Sequence, residues 1–162
     1  MRKFTMLLVL VILITLAGCG GGGKGESSEA YRYLKSKGYS NIKRQDEVVR
    51  YVLNKEVLTR MPDMLEWGLM EGIDPANYLG KTIVVERFTA TGSIAIEGEF
   101  MTSVFLTDGK PIGGVETVLD SKAEGVFTWD GMFSLEGKAM QEITGKSFEE
   151  WQRDWLRKPQ SR

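Results

Sequence analysis

The sequence predicts an α+β domain, in which an antiparallel sheet of about four to six strands packs against helices near the amino terminus and at the carboxyl terminus. Segments rich in β-branched residues fill the middle of the chain, and Gly-containing turns separate them. Segments that begin with helix-capping residues flank this region on both sides. Strands gathered in one region and helices in others are typical of the α+β class.

Capping residues mark several helical segments before the main strand region. Ser28 is expected to cap a helix that Gly38 ends. Asn54 can cap a short helix, and Pro62 can open another in its first turn. Asp74-Pro75 combines a cap with a first-turn proline and predicts a brief helical turn.

The segment after the first helix is ambiguous between strand and helix. Residues 39–44 look extended, whereas the apolar positions of residues 47–53 fit a helical stripe. The density of β-branched side chains in that stripe nevertheless favours a strand. We predict a hairpin that turns near Gln45-Asp46.

A stripe of methionine and tryptophan residues recurs at helical spacing, at Met61, Met64, Trp67 and Met70. Such a stripe could line an apolar ligand groove. Residues of these types belong more often to the core, and we interpret the stripe as core.

Strands are predicted over residues 82–88, 99–107 and 111–119. Asp108-Gly109 indicates a hairpin, because Gly109 can supply a positive φ. Gly113-Gly114 indicates a bulge or a close backbone contact. A second hairpin is predicted at Asp130-Gly131, between residues 126–129 and 132–135.

The chain returns to helix near its end. A short helix is predicted over residues 138–144, and Ser147 with Glu150 forms the capping box of a second one. Trp151 and Trp155 lie on one side of that last helix. We expect the helix to lay both indoles on the sheet.

The amino terminus has the three-part pattern of an export signal. Arg2 and Lys3 are followed by an apolar run over residues 7–16 and then by Leu16-Ala17-Gly18-Cys19. These four residues resemble the lipobox of bacterial lipoproteins. The resemblance implies a diacylglyceryl group on the Cys19 sulfur, cleavage before Cys19 and often acylation of the new amino terminus.

This leader has two other interpretations. An uncleaved membrane helix needs about 20 apolar residues, and the run gives way to Gly18 and the glycines after Cys19 well before that length. An ordinary secretory signal would leave Cys19 as an unpaired thiol in an oxidising compartment, which needs its own explanation. We favour the lipid anchor, because a leader alone is unspecific and the cysteine at its end makes the pattern specific.

These patterns divide the chain into a lipoprotein signal peptide (residues 1–18), a flexible Gly-rich tether (19–27), a single α+β domain (28–158) and a short tail (159–162). The tether reaches roughly 15 Å on average, enough to lift the domain from the lipid headgroups. The expected location is the extracytoplasmic face of the cell membrane.

Composition excludes several classes of chemistry. The 162 residues contain no histidine and one cysteine, Cys19, which excludes disulfides, Ser-His-Asp triads and the usual zinc sites. Basic residues are dispersed, with Lys43-Arg44 and Arg157-Lys158 as the longest runs after Cys19, which argues against a nucleic-acid partner. We expect no cofactor, no metal and no catalytic residues.

Carboxylates are the remaining candidates for acid–base chemistry. Asp108, Asp130, Glu97 and Glu99 lie in or near predicted loops, and a pair of them could in principle flank a sugar bond. Asp108 and Asp130 each precede a glycine, where aspartate is favoured for turn geometry alone. We interpret both as turn residues.

The domain also resembles a known family. The segments that carry the resemblance are residues 33–39, 74–75 with 78–81, 108–109 with 112–114, 134–138, 143–145 and Trp151. They are similar to a domain of unknown function in small lipoproteins of Gram-positive, Bacillus-like bacteria. The match would cover most of residues 30–157. It implies a fold family and a location, and it carries over no catalytic residues.

Two functions from different classes are consistent with these observations. The first is a non-enzymatic lipoprotein whose domain binds a protein, peptide or envelope component, either through exposed parts of Trp151 and Trp155 or through the edge of the sheet. The second is an envelope hydrolase with paired carboxylates. We favour the first, because the most prominent polar residues already have structural roles.

Replacing Cys19 with serine tests the anchor. The Cys19→Ser protein should leave the membrane fraction or remain unprocessed, because serine provides no sulfur for lipid attachment. Cell fractionation and mass measurement detect either result. Mature-sized Cys19→Ser protein that stays in the membrane fraction would contradict the lipid anchor.

Overall fold

Five strands form one antiparallel sheet in the computed structural model, which describes residues 28–119 and 131–157. The sheet order is the chain order, β1-β2-β3-β4-β5, and helices precede and follow it, so the predicted α+β class is confirmed. Short 3₁₀ turns lie at Val57–Thr59 and Pro75–Tyr78. The helices and strands are α1 (Glu29–Ser36), β1 (Ser40–Val52), α2 (Asp63–Leu69), β2 (Thr82–Thr91), β3 (Phe100–Thr107), β4 (Lys110–Val118), β5 (Met132–Ser134), α3 (Met140–Thr144) and α4 (Phe148–Arg157).

The predicted helix caps form as expected. The side-chain oxygens of Ser28, Asn54 and Asp74 each accept a hydrogen bond of 3.0–3.1 Å from a backbone N–H two or three residues later. At the start of α4, the Ser147 N–H donates to the Glu150 carboxylate at 3.1 Å, and the Glu150 N–H donates to Ser147 Oγ at 3.3 Å. Local sequence therefore determines where these elements begin.

The hairpin predicted at Gln45-Asp46 is wrong, because residues 40–52 form the single strand β1. β1 pairs with β2 from Ser40↔Thr91 to Val52↔Thr82. The register shifts between Arg44 and Val48, where β1 carries two more residues than β2, so Gln45-Asp46 lies in a bulge. Neither residue has the positive φ that a tight hairpin turn requires. The ambiguous stretch after the bulge is strand.

The hairpin between β3 and β4 is confirmed. Asp108 and Gly109 both have positive φ, at 50° and 73°. Gly113 and Gly114 follow in β4, beside a register irregularity. Of the second predicted hairpin, only the later strand lies within the described residues, and it is β5. β5 pairs with β4, and residues 120–130 lie outside the described residues.

Apolar side chains are buried on both faces of the sheet, because alternate strand residues point to opposite sides. On the face covered by α1, Phe88, Phe100 and Val104 pack with helix residues Ala30 and Leu34. The other face, covered by α2, α3 and α4, buries Ile83, Val85, Phe105 and Val115 together with Met64, Trp67 and Met70. The interpretation of the methionine and tryptophan stripe as core is confirmed.

A glycine allows the last helix to approach α2. A methyl group on Gly68 would lie 2.3 Å from a ring carbon of Trp151, so the indole occupies the space that a side chain would need. Trp155 is fixed by a hydrogen bond of 2.7 Å from its Nε1–H to the Leu58 carbonyl oxygen. Both indoles of α4 are buried, and these contacts place them against α2 and Leu58.

Two adjacent glycines of β4 allow a matched test of this packing. A Cβ at Gly114 would lie 2.5 Å from the Ser103 carbonyl oxygen, which the sheet holds in place. A Cβ at Gly113 would meet the flexible Met70 side chain, 2.7 Å from its sulfur. We expect Gly114→Ala to lower the free energy of unfolding by about 3 kcal/mol and Gly113→Ala by about 1 kcal/mol. Urea denaturation measures both, and equal losses would contradict the assigned contacts.

Candidate functional site

The two tryptophans predicted as a contact surface are buried. Trp151 is 6% exposed and Trp155 is 7% exposed. Their rings contact each other with centroids 5.3 Å apart. A buried indole cannot meet a partner without moving, so this fold does not present Trp151 and Trp155 as an interaction surface. The neighbouring exposed apolar side chain on α4 is Leu156.

The carboxylates singled out from the sequence do not form a site in the described residues. Glu97 and Glu99 are exposed in the loop before β3, whereas Asp108 lies in the turn after it. The length of β3 separates the two groups by about 30 Å, too far to act on one bond. Asp130 and Cys19 lie outside the described residues.

A second pair of carboxylates, not predicted from the sequence, lies on α2. Glu66 is half-buried, and the pKa of its carboxyl group is raised to about 7, mainly by burial and further by the nearby Asp63 carboxylate. The Arg87 guanidinium opposes this shift but is itself paired with Glu47 at 2.7 Å. Asp63 is paired with Arg60 at 3.1 Å. The i, i+3 spacing of Asp63 and Glu66 was the available sequence signal.

Glu116 is the most deeply buried carboxyl group of the described residues, at 1% exposure. It accepts hydrogen bonds from the hydroxyls of Tyr39 and Ser93. Burial is the largest cause of its raised pKa, and the two hydroxyls oppose that shift. The Tyr39 hydroxyl also lies 3.0 Å from the Leu135 carbonyl oxygen. A protonated Glu116 could therefore donate to Tyr39 while Tyr39 donates to Leu135.

This buried network holds separate segments together. Tyr39 precedes β1, Ser93 lies in the loop after β2, and Glu116 lies near the end of β4. Ser93 Oγ additionally accepts hydrogen bonds of 3.0 Å from the N–H groups of Ala95 and Ile96. Glu116 has no exposed surface through which a substrate could reach it, so we assign it a structural role.

The outer side of β1 is one of the two edges of the sheet, and β5 forms the other. β1 is first in the strand order, and among the described residues only β2 pairs with it. The Leu53 N–H donates to the Lys81 carbonyl at 3.0 Å, and the Leu53 carbonyl accepts from Gly80 at 2.8 Å. Because bonding directions alternate along a strand, Val49 and Tyr51 also face β2. The N–H and C=O groups of residues 48, 50 and 52 therefore point outward.

The side chains along this open edge are exposed. Val48 is 41% exposed and Val52 is 53% exposed, and the exposed Arg50 lies between them. Within the described parts of the chain, Arg50 has no ion pair or side-chain hydrogen bond. Unpaired backbone groups beside exposed β-branched side chains are the features that another strand can bind.

Comparisons with known proteins do not assign this surface. Neither protein-family models, nor curated proteins, nor solved structures gave a match. The resemblance to small Bacillus-like lipoproteins therefore stays a prediction. In residues 28–119 and 131–157, no group of three or more Asp, Glu, Cys or His side chains is placed to hold a metal ion, and no helix is both long and apolar enough to cross a bilayer.

The raised pKa of Glu66 predicts a pH-dependent stability. Its carboxyl group binds a proton more tightly in the folded chain, with a pKa near 7 against an ordinary 4.5. Its stabilising contribution is therefore complete below pH 4.5 and is lost as the pH rises to 7. Glu66→Gln mimics the protonated form, so the variant should match the native protein at pH 4 and exceed its free energy of unfolding by up to about 3 kcal/mol at pH 8.

Denaturant unfolding at both pH values measures this difference. Asp63→Asn is the matched control. Removing the Asp63 carboxylate should lower the raised pKa of Glu66, so the free energy of unfolding should fall over a narrower pH range. A Glu66→Gln effect of the same size at pH 4 and pH 8 would contradict the assignment.

Proposed function

We propose that the protein is a lipid-anchored, extracytoplasmic lipoprotein whose domain is a non-enzymatic interaction module of the cell envelope. The leader and the lipobox-like Cys19 support the location, and the Gly-rich residues 19–27 support a tethered domain. Ser28, which follows these residues, caps the first helix. The module contacts its partner through the open edge of β1.

The observation that carries this proposal is the outward orientation of the backbone groups at residues 48, 50 and 52. These groups need hydrogen-bond partners, which are either water or another strand. Sheet edges in proteins are usually shortened, covered or charged to prevent pairing. β1 has a bulge and the exposed charge of Arg50, but its residues 48–52 form a regular stretch in which Val48 and Val52 are also exposed. An extended segment of a partner fits this edge by strand addition.

An envelope hydrolase is the alternative. Among the described residues, β3 separates Asp108 from Glu97 and Glu99, and the pair that could support this alternative is Asp63 and Glu66. A carboxyl group that titrates near pH 7 beside another carboxylate can act as a general acid. Loss of cell-wall hydrolysis in Glu66→Gln, at unchanged stability below pH 5, would favour the enzyme over the interaction module.

Proline substitutions test the edge directly. The Arg50 N–H points away from β2, so Arg50→Pro removes no hydrogen bond inside the sheet and should cost less than about 1 kcal/mol of stability. The neighbouring Tyr51 N–H points toward β2, so Tyr51→Pro should cost about 3 kcal/mol or more. Thermal unfolding of the two variants measures both losses of stability. It thereby compares an N–H that points outward with one that points toward β2.

Crosslinking then tests whether the edge makes a contact in cells. A photo-reactive residue at Val52 should give a discrete adduct that Arg50→Pro abolishes. The control position is Ile94, which is 89% exposed but lies off the edge, in the loop after β2. Equal adducts from both positions, or a Val52 adduct that survives Arg50→Pro, would contradict the proposed contact.

A further inference from the structure

We infer that Glu116 is a proton-operated latch: its protonated carboxyl group holds the loop of residues 92–99 closed over the sheet, and loss of that proton opens the loop. The latch lies on β4, three strands from the β1 edge, so it does not depend on the proposed contact. Three features support it: the burial of Glu116, the lack of a positive partner, and the hydrogen bonds that each protonation state can make.

The Glu116 side chain lies inside a covered face of the sheet. Glu116 pairs with Thr102 of β3, and Thr102 pairs with Phe88 of β2, so all three side chains point to the face that α1 covers. Glu116 is 1% exposed. Ionising a carboxyl group at such a position is costly, because the charge loses its hydration unless protein groups replace the water.

Glu116 has no positive partner within the part of the chain that the structure describes. It forms no ion pair there. The Glu136 carboxylate, after β5, raises the pKa of Glu116 further, and Lys37, directly after α1, is paired with Glu136 at 2.5 Å. In the loop itself, Glu97 and Glu99 are exposed carboxylates. These surroundings disfavour a second negative charge at Glu116.

The β3 neighbour is also unable to stabilise that charge. The Thr102 hydroxyl donates to the Val115 carbonyl oxygen at 3.1 Å, so its proton is already used. The groups that do bind the Glu116 carboxyl are the hydroxyls of Tyr39 and Ser93, and both are neutral.

The protonated form satisfies each group of this network. Glu116 accepts from the Ser93 hydroxyl on one carboxyl oxygen. Its other oxygen can donate to Tyr39, whose hydroxyl then donates to the Leu135 carbonyl oxygen at 3.0 Å. In the ionised form both carboxyl oxygens only accept, so Tyr39 donates to Glu116 and the Leu135 carbonyl loses this donor. Ionisation therefore buries a charge and removes a hydrogen bond.

The loop of residues 92–99 is the part of this network that can open. It contains no helix or strand, and it joins the end of β2 to the start of β3. Ser93 attaches it to Glu116, and Ser93 Oγ also accepts hydrogen bonds of 3.0 Å from the N–H groups of Ala95 and Ile96. Opening the loop would let water reach the Glu116 carboxylate while β2 and β3 stay paired.

The direction of the pH effect follows from the burial. In the closed loop the pKa of Glu116 is raised above its ordinary 4.5, mainly by burial, and in the open loop the carboxyl group is hydrated and returns toward that value. The proton therefore stabilises the closed loop fully below pH 4.5, and this stabilisation is lost as the pH rises through the raised pKa. Between the two pKa values, each pH unit should increase the ratio of open to closed loop about ten-fold.

Hydrogen exchange at the loop amides tests the latch in the full chain. Glu116→Gln cannot ionise, but its amide can still donate to Tyr39 and accept from Ser93. At pH 4 the Ala95 and Ile96 amides should exchange at the same rate in both proteins. Above pH 4.5, their rate in the native protein, divided by the rate in Glu116→Gln, should rise about ten-fold per pH unit until Glu116 has titrated.

Two controls make the test specific. The Val104 amide, in the middle of β3, should exchange more slowly than the loop amides at every pH, because opening leaves the sheet paired. Glu136→Gln removes the negative neighbour and keeps the network, so it should lower the pKa of Glu116 and shorten the pH range of the rise. Glu66 is present in all of these proteins, so its own titration cancels from the comparison.

Three results would overturn the latch. A rate ratio that is the same at every pH would show that the Glu116 charge does not control the loop. Equal rates for Val104 and the loop amides would show that the whole domain opens. If Glu116→Gln does not fold, the native protein and Glu136→Gln decide the question, and the same pH range of loop exchange in both would reject the latch.

Discussion

Burial of both faces of the five-stranded sheet is the constraint on which the rest of the structure depends. α1 covers one face over Phe88 and Phe100, and α2 with α4 covers the other over Phe105. Because the chain itself buries these side chains, they are not accessible to a partner. The outer side of β1 is left with backbone groups that face solvent, and the proposed function is assigned to that side.

The covering helices are held by close and specific contacts. Gly68 admits the Trp151 ring against α2, and the Leu58 carbonyl binds the Trp155 indole. On the opposite side, Glu116 binds Tyr39 and the loop that follows β2. A buried carboxyl group is costly unless its hydrogen bonds are satisfied, so this network favours one arrangement of its segments. The rings of Trp151 and Trp155 are part of this packing and are buried.

Local features of the structure could be predicted from the sequence, and long-range ones could not. The Ser28 cap and the Asp108-Gly109 turn depend on neighbouring residues alone, and both are present. The hairpin at Gln45-Asp46 failed because pairing with β2 along the length of β1 overrides a weak turn signal. The same limit applies to the candidate site. The sequence predicted a sheet edge as one possible contact surface. Which strand forms that edge, which of its backbone groups point outward and whether Glu66 is buried all depend on tertiary packing.

Residue-by-residue amide exchange along β1 tests the central claim, that this edge is open in the single chain and closed by its partner. In the purified protein, the amides of Val49 and Tyr51 should be protected while those of residues 48 and 52 exchange freely. In the lipid-anchored protein in its native membranes, residues 48 and 52 should also become protected. Uniform protection in the purified protein, or the same alternation in both samples, would contradict the account.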